Sequence, residues 1–591
     1  MNLNEGQEKV AQFRDGACIV IANAGSGKST TAIERIRRMV EEGIPQDKIC
    51  ITSFSRKSGE DLKKKLSKQG LNGVVTGTYH SLCIRVLQQE GIDVIENIIK
   101  EYEKDNILRM VNRELTGGEI TELKLAIGLQ KNNMIPVGGD YIEVNEISKE
   151  ELHPYYKRYE IEKKKRGKLD WEDVLLMAYD ILKEKQVIEF DYLMVDEAQD
   201  NSLIQFALMN LLCPKKNIMI IGDYNQSIYG FRGSSAKLFL DFPNKYENTT
   251  AIHMNVNYRS TSNIVQKSND FIREYNSSNE LYKDAIANTE QKGEIQLFSS
   301  PSKEEEAIKI VDEIQDKLKS GVKPEDIAII YRNNSNSFEI ENELKVRNIP
   351  YFINSEDGSF FNRKEISFIM CVLRLIDDLN DDGAFDVIFT TRMYPFTYLS
   401  NNLKNDIFEL SAKKDISSFE ACEVVNTTKS YEKKALENFR KIILNLIAQS
   451  KKVDLETLID NIIKVFRVRY FIRDKYTEEQ VEERLESLSS LKKFVRNNTL
   501  ESFLKFVYES GNSQKKKKPE DVELMTIHKS KGLEFENVYL VGVEQGKFPS
   551  SRASLSEESK LFYVAVTRPK TNLYISEIGT DDLFTNQYFN K

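Results

Sequence analysis

Cys18-Ile19-Val20-Ile21-Ala22-Asn23-Ala24-Gly25-Ser26-Gly27-Lys28-Ser29-Thr30-Thr31-Ala32-Ile33-Glu34-Arg35-Ile36 is the stretch on which the reading of this chain turns. Cys18–Ala22 has the continuous apolar character of a buried parallel strand, and a helical pattern begins at Thr31. A strand that enters a glycine-rich loop and leaves as a helix is the context a phosphate-binding loop requires. Gly25 and Gly27 let successive N–H groups turn inward around phosphate oxygens, and the helix N-terminus adds positive partial charge. Lys28 is placed to reach the β- and γ-phosphates of ATP, and the Ser29 hydroxyl to sit on Mg²⁺. Ala22 stands where the pattern has glycine and is small enough to permit the turn. Ala22, Asn23, Ala24, Gly25, Ser26, Gly27, Lys28, Ser29 and Thr30 are therefore the expected ATP loop. The plain alternative is a Gly/Ser turn, which does not account for Lys28-Ser29 or for both flanks.

Working outward, Tyr192-Leu193-Met194-Val195-Asp196-Glu197-Ala198-Gln199-Asp200 supplies an acidic partner. Asp196 at a strand end is suited to hold Mg²⁺, and Glu197 to take a proton from an attacking water. A helix N-cap would explain one carboxylate, not two. The loop Gly222-Asp223-Tyr224-Asn225-Gln226-Ser227-Ile228-Tyr229-Gly230-Phe231-Arg232-Gly233 follows the apolar run Asn217–Ile221. Its Gln226 suits a phosphate or a water, and Tyr229, Phe231 and Arg232 suit bases and phosphates.

Size and composition set the outer limits. At 591 residues the chain exceeds one core, so several domains are expected. The six cysteines are scattered with no C-x-x-C pair, which argues against zinc ribbons and disulfides and fits a reduced cytoplasm. Neither a signal peptide nor a bilayer-length apolar run is found, so no membrane association is expected. The net charge of −8 leaves room only for a local basic groove.

Strands are expected at Cys18–Ala22, Ile49–Ser53, Phe190–Val195 and Asn217–Ile221, and in a second set at Glu294–Phe298, Ile327–Tyr331, Tyr351–Ile353, Val522–His528, Val538–Val543 and Asn572–Ser576. Helix-rich stretches separate them. Leu436, Phe439, Ile443 and Leu446 form one core-facing stripe, and Leu485, Leu488, Leu491 and Val495 another. Asp170 reads as a helix N-cap before Trp171. The basic runs Lys163–Arg166 and Lys515–Lys518 read as solvated loops, with duplex contact as the alternative.

Taken together these residues resemble superfamily 1 DNA helicases of the UvrD/Rep/PcrA type. Leu3-Asn4-Glu5-Gly6-Gln7 is similar to the family's Q motif, Asp196–Gln199 to its DExQ box, and the Gly222–Gly233 loop to GDxxQSIYxFRG. Asn257-Tyr258-Arg259-Ser260, Phe360–Ile366, Thr526–Phe535 and Tyr563–Arg568 resemble the later motifs in order, and Ser53–Lys57 with Thr76–Leu82 the DNA-contacting motifs of the first core.

The resemblance implies an α/β fold: two RecA-like parallel-sheet domains with an ATP cleft between them, each carrying a helical insertion. The first core is expected at 1–88 and 169–275 with its insertion at 89–168, and the second at 276–378 and 516–591 with its insertion at 379–515. It further implies that Gln7 reads adenine, Tyr258 stacks on it and Glu534 bonds the ribose. Gln226 is implied as γ-phosphate sensor, and Arg259 and Arg568 as arginine fingers, a role for which a guanidinium fork is suited.

Bases are expected to stack among Tyr79, His80, Tyr229, Phe231 and Phe360, with two or three of these rings belonging to the core instead. Phosphates are expected on Arg56, Lys57, Thr78, Arg232, Arg363, Thr526 and His528. The implied activity is ATP-dependent 3′→5′ movement on single-stranded DNA with unwinding, in repair, replication or recombination. The implied substrates are single strands and their junctions with duplex, acted on by a monomer or weak dimer with a protein partner. Two other readings are a translocase that strips proteins and unwinds poorly, and an ATP-switched binding module. The presence of Glu197, Gln226 and both arginines disfavours the last.

Overall fold

The computed structural model describes residues 3–144, 147–230, 233, 236–276, 279–354, 360–495, 498–510, 517–551, 553–580 and 582–590. The chain is α/β, and it forms two compact units. The first comprises Met1–Leu115, Ile120–Leu297 and Ser530–Lys591, and the second Thr116–Glu119 and Phe298–Lys529.

In the first unit, β1 (Cys18–Ala22), β2 (Ile49–Thr52), β3 (Val75–Gly77), β4 (Tyr192–Val195), β5 (Ile218–Gly222) and β6 (Thr250–Met254) form one sheet in the order β3-β2-β4-β5-β1-β6. Every pairing is parallel, and Val20 of β1 lies between Ile221 of β5 and Ile252 of β6. Alternate residues serve opposite faces, as the two-residue strand period requires. Ile19, Ile21, Leu193, Val195 and Ile220 enter one core, whereas Cys18, Val20, Met194, Met219 and Ile221 enter the other. A sheet buried on both faces needs such apolar runs.

All six strands run the same way, so the loops at their carboxyl ends gather along one edge, where open α/β sheets bind ligands. β3 and β6 carry few continuous apolar residues and lie outside the strands expected from the sequence. The helix-rich stretch between β3 and β4 closes its own core around Ile107, Leu123, Ile127, Tyr156 and Tyr159. The same unit also holds the parallel pair Phe535–Val543 and Pro569–Ile578.

In the second unit, Val522–Thr526 pairs in parallel with both Ile327–Tyr331 and Tyr351–Asn354. The strand expected over Val522–His528 ends at Thr526, where the hydroxyl accepts from Lys529 N at 3.4 Å and a helical turn, Ile527–Ser530, begins. The long helix Ser430–Ser450 buries Leu436, Phe439, Ile443 and Leu446 as its spacing demands. Glu478–Val495 likewise buries Leu488, Leu491 and Val495, with Leu485 packed beside them.

Candidate nucleotide site and aromatic cleft

The loop after β1 is held open from several sides. Gly25 and Gly27 have φ of 71° and 80°, so both need the left-handed freedom of glycine. A Cβ at Gly25 would stand 2.8 Å from Arg259 Cβ, and one at Gly27 would stand 2.9 Å from Gln7 Nε2. Asn257 braces this packing: its Nδ2 donates to Ala24 O at 2.9 Å, while its Oδ1 accepts from the N–H groups of Arg259 and Ser260. Asn4 caps the N-terminal helix Glu5–Gln12 in a reciprocal box with Gln7, whose Nε2 also donates to Ser26 O at 3.0 Å. Tyr258 is 45% exposed beside them, its hydroxyl accepting from Asn4 Nδ2.

Lys28 is the first residue of the helix Lys28–Glu41, and its Nζ lies 3.1 Å from Glu197 Oε1. Burial works against the Lys28 charge, but Glu197, Asp196 and Asp223 outweigh it and hold the ammonium above the ordinary lysine range. Glu197 sits at φ 55°, a left-handed conformation uncommon outside glycine and a mark of functional sites. Its Oε2 accepts from Gln199 Nε2 at 2.6 Å. Gln199 also accepts from Asp223 N, and a Cβ at Gly222 would stand 2.3 Å from that amide oxygen. Burial pushes the Asp196 carboxyl up, as does the neighbouring Glu197 charge; burial opposes the Glu197 charge, but Lys28 and Lys531 overcome it and keep that carboxyl low. A buried carboxyl held up by an anionic neighbour is a fitting ligand for a divalent cation, and in the loop that carries Ser29 the Ser26 Oγ is buried without a partner among the described residues.

Gln226 is buried after β5, its Nε2 donating to Asp223 Oδ2 at 2.8 Å and its Oε1 accepting from Arg568 Nη2 at 3.3 Å. Arg568 is 1% exposed. Its other bonds go to the carbonyls of Val564 and Leu533 and to the Thr567 hydroxyl. All four acceptors are neutral. Burial, with Arg259 nearby, pulls the guanidinium down to about 9 against the opposing charges of Glu197 and Asp223, neither of which it bonds. Arg259 differs: its Nε donates to Glu534 Oε2 at 2.9 Å and its Nη1 to Thr567 O.

Lys531 joins this site although motif spacing alone did not single it out. Its Nζ is ion-paired with Asp200, donates to Gln226 O at 2.6 Å and lies 5.2 Å from the centre of the Tyr229 ring. Burial pushes Asp200 up to about 6 against the pull of Lys531. Asp200, Gln199 and Lys531 stood in the sequence only as members of longer motifs, since what brings them into the candidate site is contact between segments far apart in sequence.

Beside Asp200 opens a cleft of about 570 Å³ whose walls include Phe54, His80, Trp171 and Tyr229. Phe54 and Tyr229 stack with ring centres 4.9 Å apart, and His80 meets Trp171 edge-on at 6.0 Å. Trp171 is 43% exposed and follows Asp170, which caps the helix Trp171–Glu184 as expected. Phe54 and Trp171 were not among the expected stacking residues. The signals were present in a ring next to a basic motif and in the single tryptophan at a helix start.

Several expected DNA contacts are displaced. Tyr79 opens the helix Tyr79–Gln89 on the side facing the sheet and is core. Phe360 is core against Phe338, with ring centres 3.7 Å apart. Arg363 is buried, bonded to Ser487 and 3.7 Å from Glu483. Their apolar or acidic neighbours take them out of reach of a strand. Thr78 caps its helix by accepting from Ser81 N at 3.3 Å, Arg56 and Lys57 are exposed, and Thr526 and His528 are half-buried in the second unit. Phe231 and Arg232 lie outside the described residues, as do Lys515 and Lys516. The run Lys163–Arg166 is a helix end and not a loop: Lys163 is buried and paired with Glu160, Asp170 and Asp173.

Residues 3–247 match the family of the UvrD/REP helicase N-terminal domain, and residues 252–580 that of the UvrD-like helicase C-terminal domain. The chain belongs to the UvrD-like helicase family and is an ATP-dependent DNA helicase of that class. It is 29% identical to YjcD of Bacillus subtilis (strain 168), over 98% of this chain and 79% of that one. It is 29% identical to DNA helicase II of Haemophilus influenzae, over 99% and 85%. Against the ATP-dependent DNA helicase PcrA of Staphylococcus epidermidis it is 28% identical, over 99% and 84%. No helix among the described residues is long and apolar enough to cross a membrane.

Proposed function

We propose that this helicase moves 3′→5′ on single-stranded DNA, with ATP held by the loops at the carboxyl edge of the first sheet and bases held in the aromatic cleft beside them. The polarity rests on the family resemblance, and the observation that carries the ATP site is Arg568: a buried cation bonded, among the described residues, only to neutral acceptors, touching Gln226. A buried unpaired charge costs stability, and the γ-phosphate of ATP is the anion that would satisfy it.

Residue roles follow from chemistry. Lys28 would leave Glu197 for the β- and γ-phosphates, freeing that carboxylate to take a proton from the attacking water. Gln226 would orient that water, while Arg259 and Arg568 stabilise charge spreading over the γ-phosphate oxygens. Tyr258 is exposed where a purine ring can stack, next to Gln7; Glu534 is assigned to the ribose. Ser29 and Asp196 would hold Mg²⁺, which neutralises phosphate charge when bound. Lys531 connects the Gln226 carbonyl to Asp200 and Tyr229, so a shift of Gln226 on hydrolysis would reach the cleft wall.

The two RecA-like cores are assigned to 1–88 with 169–275 and 276–378 with 516–591, with insertions at 89–168 and 379–515. Single-strand/duplex junctions as substrates, a monomer or weak dimer, and a cytoplasmic role in repair, replication or recombination belong to the same reading. Strand displacement on 3′- and 5′-tailed duplexes, with and without ATP, tests it. Unwinding of the 3′-tailed substrate alone, and only with ATP, is expected; preference for the 5′ tail would reverse the polarity, and displacement without ATP would sink the motor.

A further inference from the structure

The cleft that takes the strand in the reading above is lined by rings, yet Glu172 of the helix Trp171–Glu184 also lines it, one of three carboxylates close together in sequence with Asp170, the helix cap, and Asp173. Two are neutralised. Asp170 and Asp173 pair with the buried ammonium groups of Lys131 and Lys163 at 2.5–2.9 Å, in a network with Glu160. Those same carboxylates form the acidic group Glu160–Asp170–Asp173, so the lysines already occupy the place a metal would take. Glu172 is left over. It lines the cleft, its Oε1 lies beside Gly128 of the helix Gly117–Asn132, and it has no ion-pair partner among the described residues.

The other charges on the cleft are spent. Lys124 is paired with Glu101 and Asp105, and Asp200 with Lys531. A cleft with an unpaired carboxylate and no unpaired cation among its lining residues repels phosphate, so the backbone of a bound strand must run outside it and the bases must enter. Between the rings, a base presents its edge to the wall. A carboxylate is an acceptor only; it satisfies an exocyclic amino group and opposes a carbonyl.

We propose that Glu172 reads the base edge in this cleft and favours amino-bearing cytosine over carbonyl-bearing uracil or thymine. The proposal rests on the cleft being the single-strand site. The test measures the concentration of oligomer that half-activates ATP turnover, for deoxycytidine and deoxyuridine homopolymers of one length at one salt concentration. Wild type is expected to need about ten- to a hundredfold less of the cytosine strand, the scale of one hydrogen bond to a charged group. A strand of N4,N4-dimethylcytidine, which has no amino hydrogens, is expected to act as poorly as the uracil strand on the unaltered protein. Glu172→Ala and Glu172→Gln are each expected to bring the ratio near one. Equal constants in wild type, full activity of the dimethylated strand, or an unchanged ratio in both variants would overturn the assignment. Absence of activation by any strand would instead overturn the single-strand reading itself, and this one with it.

Discussion

The nucleotide loops and the aromatic cleft share the carboxyl edge of one sheet, and they handle charge in opposite ways. In the loops, charge is concentrated and waits for a partner. Lys28 is lent to Glu197, Asp196 is held protonated more readily than usual by burial and its neighbour, and Arg568 has only neutral acceptors among the described residues. In the cleft, Lys124 and Lys531 are paired with carboxylates, Glu172 is the charge without an ion-pair partner among the described residues, and four rings stand in the walls. The difference teaches how one edge can bind two parts of the reaction. Phosphate needs fixed cations and inward N–H groups, whereas bases need π-faces that tolerate any sequence.

The largest effect is expected where charge waits. Lys28→Ala should abolish ATP turnover; a variant with normal turnover would remove the loop from the chemistry. Arg568→Ala should slow hydrolysis by about 10³-fold or more while nucleotide binding, followed by fluorescence of a labelled ATP analogue, stays nearly intact. A full-rate variant would leave the buried guanidinium without its phosphate.

Lys531 bridges the two regions, and pH probes it. Asp200 titrates at about 6 in the folded protein. As pH falls through that value it takes a proton and the pair with Lys531 is lost, so DNA-stimulated turnover should drop with a midpoint near 6. Asp200→Asn should be low throughout and flat from pH 5 to 7; a variant with the wild-type profile would assign the midpoint to another group. The effect on stability has the other sign. Because the folded value lies above the ordinary carboxylate value, the native state holds this proton more tightly than the unfolded chain. Asp200 therefore adds stability as pH falls from 7 toward 5.

Smaller effects are expected in the cleft. Trp171→Ala or Tyr229→Ala should each weaken single-strand affinity by about 1–3 kcal/mol at matched salt. Unchanged affinity in both would move the rings from the strand to the core. Gly222→Ala forces a Cβ toward the Gln199 amide and should destabilise the fold by about 1–3 kcal/mol, read by thermal unfolding.

Much of the fold was legible because the period of burial is local. Cys18–Ala22 and Ile327–Tyr331 are strands over the expected residues, and the stripes of Ser430–Ser450 and Glu478–Val495 face the core. Val75–Gly77 and Thr250–Met254 were not, since edge strands need only one neighbour and carry exposed or half-exposed residues. The conformation of the glycine-rich loop after β1, the proposed phosphate site, was legible for a similar reason: it depends on the backbone geometry of one short segment.

The sequence alone thus determined the parallel-sheet class and singled out, as candidates, the glycine-rich loop proposed to hold phosphate, the acidic pair after β4 and the distant arginines. Only the tertiary structure decided which rings are surface and which are core. Tyr79 and Tyr229 are both tyrosines in loop-to-helix motifs, yet one is buried under its helix and the other lines the cleft. It also decided that Lys531 touches Asp200 and Gln226, that Lys163 is buried and not solvated, and that Glu172 is the carboxylate of the cleft lining without an ion-pair partner among the described residues. The physical reason is the same in each case. Backbone conformation is set by neighbours in sequence, but the exposure of a ring and the pairing of a charge are set by whichever distant segment packs against it.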